Sequence, residues 1–249
     1  MTFSDSHCHL VRYDPGLLTG VLAQARALGV NVIVSVGMTV ETSAETISLA
    51  ESNDGVLAAV GIHPWEAAPL TDQLSRDLSE LVQREHVVAI GEVGLDYARA
   101  PETKEIQREL LIYELSLARE TGLPVNIHCR EAHQDMMDIL HETIGSDLDG
   151  IIHGFSGDRA QLWDWLDLGF YISIGVRGLV INDLPSLNEV VREIPSDRLL
   201  TETDATGGSQ PAGPADVISV ATKLASLRGV TVEEIGSTTT ENLKRLLRL

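Results

Sequence analysis

The stretch Gly122-Leu123-Pro124-Val125-Asn126-Ile127-His128-Cys129-Arg130 carries the pattern that decides the fold. A helical periodicity over Thr103–Thr121 stops at a glycine suited to a left-handed cap; a short strand-like run, Pro124–Ile127, follows and ends in a polar tail. The same order of helix, cap, strand and polar tail recurs along the chain. Strands are predicted at Thr2–Ser6, Val30–Val36, Val56–Ile62, Val87–Ile90, Pro124–Ile127, Gly150–Ile152, Phe170–Ile174 and Leu199–Thr201. Helical patterns cover Leu17–Leu28, Val40–Glu51, Leu70–Arg84, Thr103–Thr121, Glu131–Ile144, Asp158–Leu168 and Leu184–Glu193, with Gly29, Gly145 and Gly169 as further caps. A Gly/Pro/Ser loop, Gly207–Pro214, precedes helical patterns over Ala215–Leu227 and Val232–Leu247. No long linker divides the chain. Eight β-then-α units predict an α/β fold, a single (β/α)8 TIM barrel spanning residues 1–249 as one domain. An open doubly wound sheet is the alternative.

Composition agrees with that size. The chain has 249 residues, 43% of them hydrophobic, and its 18 Lys and Arg against 37 Asp and Glu give a formal net charge of −19. The apolar fraction excludes a disordered chain. No apolar run approaches the roughly 20 residues of a membrane span. Met1-Thr2-Phe3-Ser4-Asp5 lacks the features of a signal peptide, and Cys8 and Cys129 are the two cysteines, so the expected location is cytoplasmic. The acidic balance argues against a basic nucleic-acid surface, although a carboxylate-rich site filled with divalent cations presents positive charge to phosphates.

Barrel enzymes build their sites at the C-terminal ends of their strands, and there the polar residues gather. The strand ends carry Asp5-Ser6-His7-Cys8-His9, His63-Pro64, Gly91-Glu92, His128-Cys129-Arg130, His153-Gly154 and Glu202-Thr203-Asp204. His7 and His9 are two apart on an extended segment, so both imidazoles share a face about 7 Å apart at the backbone, and Cys8 points to the barrel wall. Taken singly, His63 could cap the turn at Pro64, His153 could be a core histidine, Glu92 and Asp204 could be loop carboxylates, and Arg130 could pair with Glu131. Together, four histidines and two acids at one mouth would be a costly polar cluster without a cation. His86, His133 and His141 read as surface or packing residues, Trp163 and Trp165 as packing, and the charged helix Glu102–Glu120 as a solvated outer face.

As an ordered set these motifs resemble the TatD family of metal-dependent hydrolases, among the amidohydrolase-like barrels. The matching segments are Asp5 to Leu10, Gly61-Ile62-His63-Pro64, Gly91 to Tyr97, Leu123 to Arg130, His153 to Gly157 and Leu200 to Asp204, with Gln107 and Asn242. The resemblance implies a two-metal centre: His7, His9 and Asp204 hold one ion, Glu92 bridges, and His128 and His153 complete the second. The donor set suits zinc or manganese, with magnesium less at ease among imidazoles. Many related barrels bridge through a carboxylated lysine, but Lys104, Lys223 and Lys244 all lie away from strand ends.

The first functional expectation is phosphodiester hydrolysis by a metal-activated water, with DNA or RNA ends or a small phosphodiester as substrate. Asp204 would orient or deprotonate the water, Glu92 would serve the metals, and His63 and Arg130 would bind or polarise a phosphate oxygen. Arg177, between glycines after strand seven, is a further candidate phosphate contact. A two-metal ester or amide hydrolase is the alternative, and a non-catalytic metal-binding protein a third. The chain departs from the family pattern in Gly175-Val176-Arg177-Gly178 and in Ala205-Thr206-Gly207-Gly208-Ser209-Gln210, where a proline usually follows the aspartate.

Overall fold

The computed structural model describes residues 1–143, 148–207 and 213–249. The cap expected at Gly145 and residues 208–212 of the predicted loop lie outside the described residues. Eight strands, β1 (Phe3–Cys8), β2 (Val30–Val36), β3 (Val56–Val60), β4 (Val87–Asp96), β5 (Val125–Arg130), β6 (Gly150–Ile152), β7 (Tyr171–Gly175) and β8 (Leu199–Glu202), pair in parallel in chain order. That order, with no reversal, is a barrel and excludes the doubly wound sheet. The helices α1 (Pro15–Ala27), α2 (Val40–Ser52), α3 (Asp72–Leu81), α4 (Lys104–Thr121), α5 (His133–Thr143), α6 (Arg159–Asp167), α7 (Pro185–Val190), α8 (Val217–Arg228) and α9 (Val232–Leu247) fall between and after the strands.

Alternation along each strand serves two layers. Val32, Val34 and Val36 of β2 pack with Ala59, Ala89, Ile151 and Leu200 of other strands and with Leu243, Leu246 and Leu247 of α9. Ile33 belongs instead to the cluster shared with Leu18 and Leu22 of α1 and Ile47 of α2. Asn242 of α9 donates to the carbonyls of Ser196 and Leu199, which pins this helix to the start of β8.

The structure corrects two expectations. Strand β4 runs six residues beyond Ile90, so Glu92 stands inside a strand and not in a loop after it. Two glycines conceal this in the sequence, and both are required by the close approach of β5. A Cβ on Gly91 would lie 2.6 Å from that of Asn126, and Gly94, at φ +145°, passes so near the His128 carbonyl that any side chain would collide. The charged helix α4 is also only half solvated. Gln107 and Glu114 are buried; Gln107 accepts from Asp96 N at 2.9 Å and donates to the Ala100 carbonyl at 2.8 Å, fastening the end of β4.

The barrel closes between β8 and β1 through a side chain. Asp5 is fully buried and its carboxyl accepts from the Thr203 backbone N–H at 2.9 Å, from the Thr203 hydroxyl at 2.5 Å and from His7 N–H at 3.3 Å. Backbone bonds from Asp204 N to His7 O and from His9 N to Ala205 O continue the seam upward. Burial pushes the Asp5 carboxyl up to about 8 against the pull of these donors. Replacing Asp5 by Ala leaves at least two buried donors at Thr203 without an acceptor, at roughly 1–3 kcal/mol each, so Asp5→Ala is expected to lower unfolding stability by about 3 kcal/mol. Asp5→Asn, which keeps an acceptor for Thr203 N–H, is expected to lose less than half of that in urea titrations; equal losses would contradict the seam's dependence on these bonds.

Candidate metal centre

Seven side chains from six strands or the residues just past them meet at the barrel mouth. Glu92 of β4 is at the middle, buried, and all five strand-end histidines reach its carboxylate. Its Oε2 faces His7 Nε2 and His9 Nε2, each at 3.4 Å. Its Oε1 faces His63 Nε2 at 3.2 Å and His128 Nδ1 and His153 Nε2, each at 2.9 Å. Asp204, just past β8, brings Oδ1 within 3.5 Å of His9 Nε2 and 3.9 Å of His7 Nε2. Cys8, between the two histidines, points away and contacts the Val34 carbonyl.

The other ring nitrogen of each histidine decides what the inward one can do, because a neutral imidazole has one donor and one acceptor. His7 Nδ1 meets Asn126 Oδ1 at 3.0 Å, and His9 Nδ1 meets the Val36 carbonyl at 3.0 Å. His128 Nε2 meets Asp96 Oδ2 at 3.0 Å, and His153 Nδ1 meets Glu202 Oε1 at 3.3 Å. All four partners are acceptors, so these outer nitrogens carry the hydrogen and the inward lone pairs are free for a cation. His63 is wired the other way. Its Nδ1 accepts from Trp65 N–H at 3.0 Å, capping the turn Pro64–Glu66, and its inward Nε2 is therefore a donor. Proximity alone would group His63 with Glu92 and His128 as candidate ligands; hydrogen bonding makes it a donor beside the cluster.

Electrostatics agree with cation binding. Burial alone would depress the imidazoles, yet Asp204 and Glu92 outweigh it and hold His9 at about 9. His128 and His153 are also held above the ordinary histidine range, against burial, by Asp96 and Glu92 and by Glu92 and Glu202 respectively. For Glu92, burial works against ionisation, but the surrounding imidazoles hold the carboxyl well below its usual range. With only protons to balance the carboxylates, protons sit on the inward nitrogens that divalent cations would take. The sets His7, His9, Asp204 and His7, Glu92, His153 each bring their ligand atoms within 4.8 Å of one another, so the residues present fit a metal centre. His63, burial-depressed, stays neutral.

Sequence reasoning gave no role to the carboxylates behind the ligands. Asp96 accepts from four donors, His128 Nε2 and Trp65 Nε1 on one oxygen and the N–H groups of Ala98 and Arg99 on the other. Glu202 is fully buried and also accepts from Gly154 N–H at 2.7 Å. Their signal was present, each being an acid at a strand end, but nothing in spacing separates a carboxylate that orients a ligand from one that is a ligand.

A cleft of about 290 Å³ opens from the cluster. His128, His153, Glu202 and Asp204 line it together with Arg130 and Arg177. Among the described residues neither guanidinium is in an ion pair, and Arg130 is not paired with Glu131. Arg177 starts a single turn of π-helix, Arg177–Ile181, directly after β7.

A (β/α)8 barrel with a histidine and carboxylate cluster at its mouth is the architecture of a metal-dependent hydrolase. The chain belongs to the TatD related DNase family, whose profile matches residues 4–248. It is 38% identical over 253 residues to the metal-dependent hydrolase YabD of Bacillus subtilis, with 98% of each chain covered. To the 3′-5′ ssDNA/RNA exonuclease TatD of Enterobacter lignolyticus it is 31% identical over 238 residues, 91% of each chain. The crystal structure of YjjV, a TatD homologue of Escherichia coli K12, matches with a TM-score of 0.88 at 29% identity over 99% of this chain and 98% of that one.

Two outcomes test the wiring of the cluster. Asp96→Asn turns an amide N–H₂ toward donors and is expected to weaken metal affinity about 10–100-fold, whereas His63→Gln is expected to stay within about threefold, both by calorimetric titration. A loss in His63→Gln equal to that in Asp96→Asn would make His63 a ligand. Because His9 is protonated below about 9, cations compete with protons, and affinity is expected to climb as pH rises from 6 toward 9. A flat profile would contradict proton displacement.

Proposed function

We propose that this protein hydrolyses phosphodiesters at the ends of single-stranded DNA or RNA, using two divalent cations. The observation that carries this reading is the pairing of the split Glu92 carboxylate with the two unpaired arginines of the adjoining cleft. Oε2 turned to His7 and His9, and Oε1 turned to His128 and His153, suit a bridge between two ions. The imidazole-rich donor set favours zinc or manganese over magnesium. The name of the Enterobacter relative supports a nucleic-acid end as substrate. Free thiols at Cys8 and Cys129 suit a reducing compartment, and we read the chain as cytoplasmic.

Bound divalent cations supply Lewis acidity to a phosphoryl oxygen and acidify water. The protein's own groups do the rest. Asp204 faces His7 and His9 through Oδ1 and is the most exposed of the acids in the cluster, so its carboxylate can accept the proton of an attacking water. His63 Nε2–H donates to a non-bridging oxygen, and its fixed tautomer keeps that hydrogen pointed inward. Arg130 and Arg177 neutralise the remaining charge, Arg130 through its planar fork. A carboxylic ester substrate uses the same water activation but leaves the second arginine without an anionic partner.

Glu92→Gln and Asp204→Asn are each expected to reduce hydrolysis of a single-stranded oligonucleotide by about 10²–10³-fold or more while the far-ultraviolet circular dichroism spectrum is retained. Full activity of either variant, after metal loading and repeated purification, would overturn the reading. So would activity confined to carboxylic esters in a parallel assay.

A further inference from the structure

The trough beside the metal centre has a second lobe. It encloses about 420 Å³, and its lining includes Arg130, Glu131, His133, Phe155, Gln161 and Trp165. It shares with the first cleft the wall formed by residues 129–130 and 153–156, so the two lobes meet at a waist where Arg130 and His153 belong to both. Of the metal ligands, His153 alone lines the second lobe.

The lining of this lobe is layered. Phe155 and Trp165 are buried beneath it, and the His133 ring stands edge-on to Trp165 with centroids 6.2 Å apart. The loop after β6 passes over the Phe155 ring only because residue 157 is glycine, since a Cβ there would meet that ring at 3.0 Å and Gln161 Oε1 at 2.4 Å. Above the aromatics the groups are polar. Gln161 Oε1 accepts from Asp158 N–H at 3.1 Å, while its amide nitrogen has no partner among the described residues. A lobe with aromatic rings buried beneath it and hydrogen-bonding groups at its rim suits a nucleobase held by its polar edge over an apolar base, without stacking on an exposed ring.

Resting on the phosphodiesterase reading, we infer that this lobe is a nucleoside subsite across the scissile phosphate from the Arg177 cleft. The phosphate occupies the waist, where Arg130 is in no ion pair among the described residues. One nucleoside lies toward Arg177 and the other over Phe155 and Trp165. The shortest well-bound substrate is then a dinucleotide, and discrimination between long and short diesters resides in residues that take no part in the chemistry.

The test compares thymidylyl-(3′→5′)-thymidine with thymidine 3′-(methyl phosphate), an alkyl diester with a leaving group of similar basicity that fills only one lobe, using the metal-loaded full chain. The wild type is expected to favour the dinucleotide at least tenfold in kcat/KM. His133→Trp, which fills the lobe, is expected to lower that preference about tenfold through KM. Asp164→Ala removes the hydrogen bond between His133 Nε2 and Asp164 Oδ2, which His133→Trp also loses, without entering the lobe and is expected to keep the preference. No preference in the wild type, an undiminished one in His133→Trp, or equal loss in Asp164→Ala would overturn the assignment. Should the wild type hydrolyse neither diester, the phosphodiesterase reading fails by itself, and binding of the dinucleotide, followed by tryptophan fluorescence, decides on the lobe. Affinity at least tenfold weaker in His133→Trp supports it; equal affinity, or no binding, overturns it.

Discussion

A single buried carboxylate, Glu92, sets the terms for the rest of the mouth. An isolated ionised group at that depth would be prohibitively costly, and it is tolerated because five imidazoles surround it. Those imidazoles are aimed by groups behind them: Asn126 on β5 for His7, the Val36 carbonyl at the end of β2 for His9, Asp96 on β4 for His128 and Glu202 on β8 for His153. The centre is thus an agreement among six strands about where one negative charge is held. Disturbing an outer acceptor changes which nitrogen of a histidine carries the hydrogen, and so converts a ligand into a donor without moving it. His63 is the natural instance of that inversion, produced by one backbone N–H at Trp65.

Such precision needs the strand ends at fixed heights, which explains two otherwise odd features. Strand β4 is the longest in the sheet and lies close to β5, where Gly91 and Gly94 leave no room for any side chain. Its far end is tied down from α4 by Gln107. At the opposite side of the barrel, where β8 returns to β1, Asp5 supplies from its side chain the acceptors that a neighbouring backbone would normally give. Because Asp5 precedes His7 by two residues and Thr203 directly precedes Asp204, closing the barrel and placing one set of ligands are the same event.

The barrel was legible in the sequence, and so was the gathering of the candidate ligands at one mouth, because both follow from periodicity. Strand ends recur, and His7, His9, His128, His153 and Asp204 each stand at or just past one, while Glu92 stands within β4. What stayed hidden depends on partners distant in sequence. The tautomer of His63 is set by a local cap that looks the same whether or not the ring also faces a metal. The extension of β4 was masked because glycine lowers strand propensity in any sequence count, while in space it is the residue that permits the pairing. Glu114 lay in a charged pattern that reads as solvated, yet it is buried and accepts from Ile62 N–H at 2.7 Å, directly beside His63. Burial raises its carboxyl well above the usual range, so a nominally charged residue behaves as a neutral one.

The formal charge of −19 can now be divided by place. Glu41 and Glu45 on α2, and Glu105, Glu109 and Glu120 on α4, are exposed on outer helices, whereas Arg130 ends β5 and Arg12, Arg99 and Arg177 follow strand ends at the mouth. At physiological ionic strength charges separated by more than about 8 Å are largely screened, so the acidic exterior weakens approach without cancelling contact at the mouth. A duplex laid across the barrel would set many phosphates against the outer acids and gain few arginines. A strand end entering the trough meets Arg130 and Arg177 and leaves the remaining phosphates in solvent. For the proposed substrate, net charge and local charge therefore act on different properties: the first selects against long surface tracking, and the second provides the affinity of a single terminal phosphodiester.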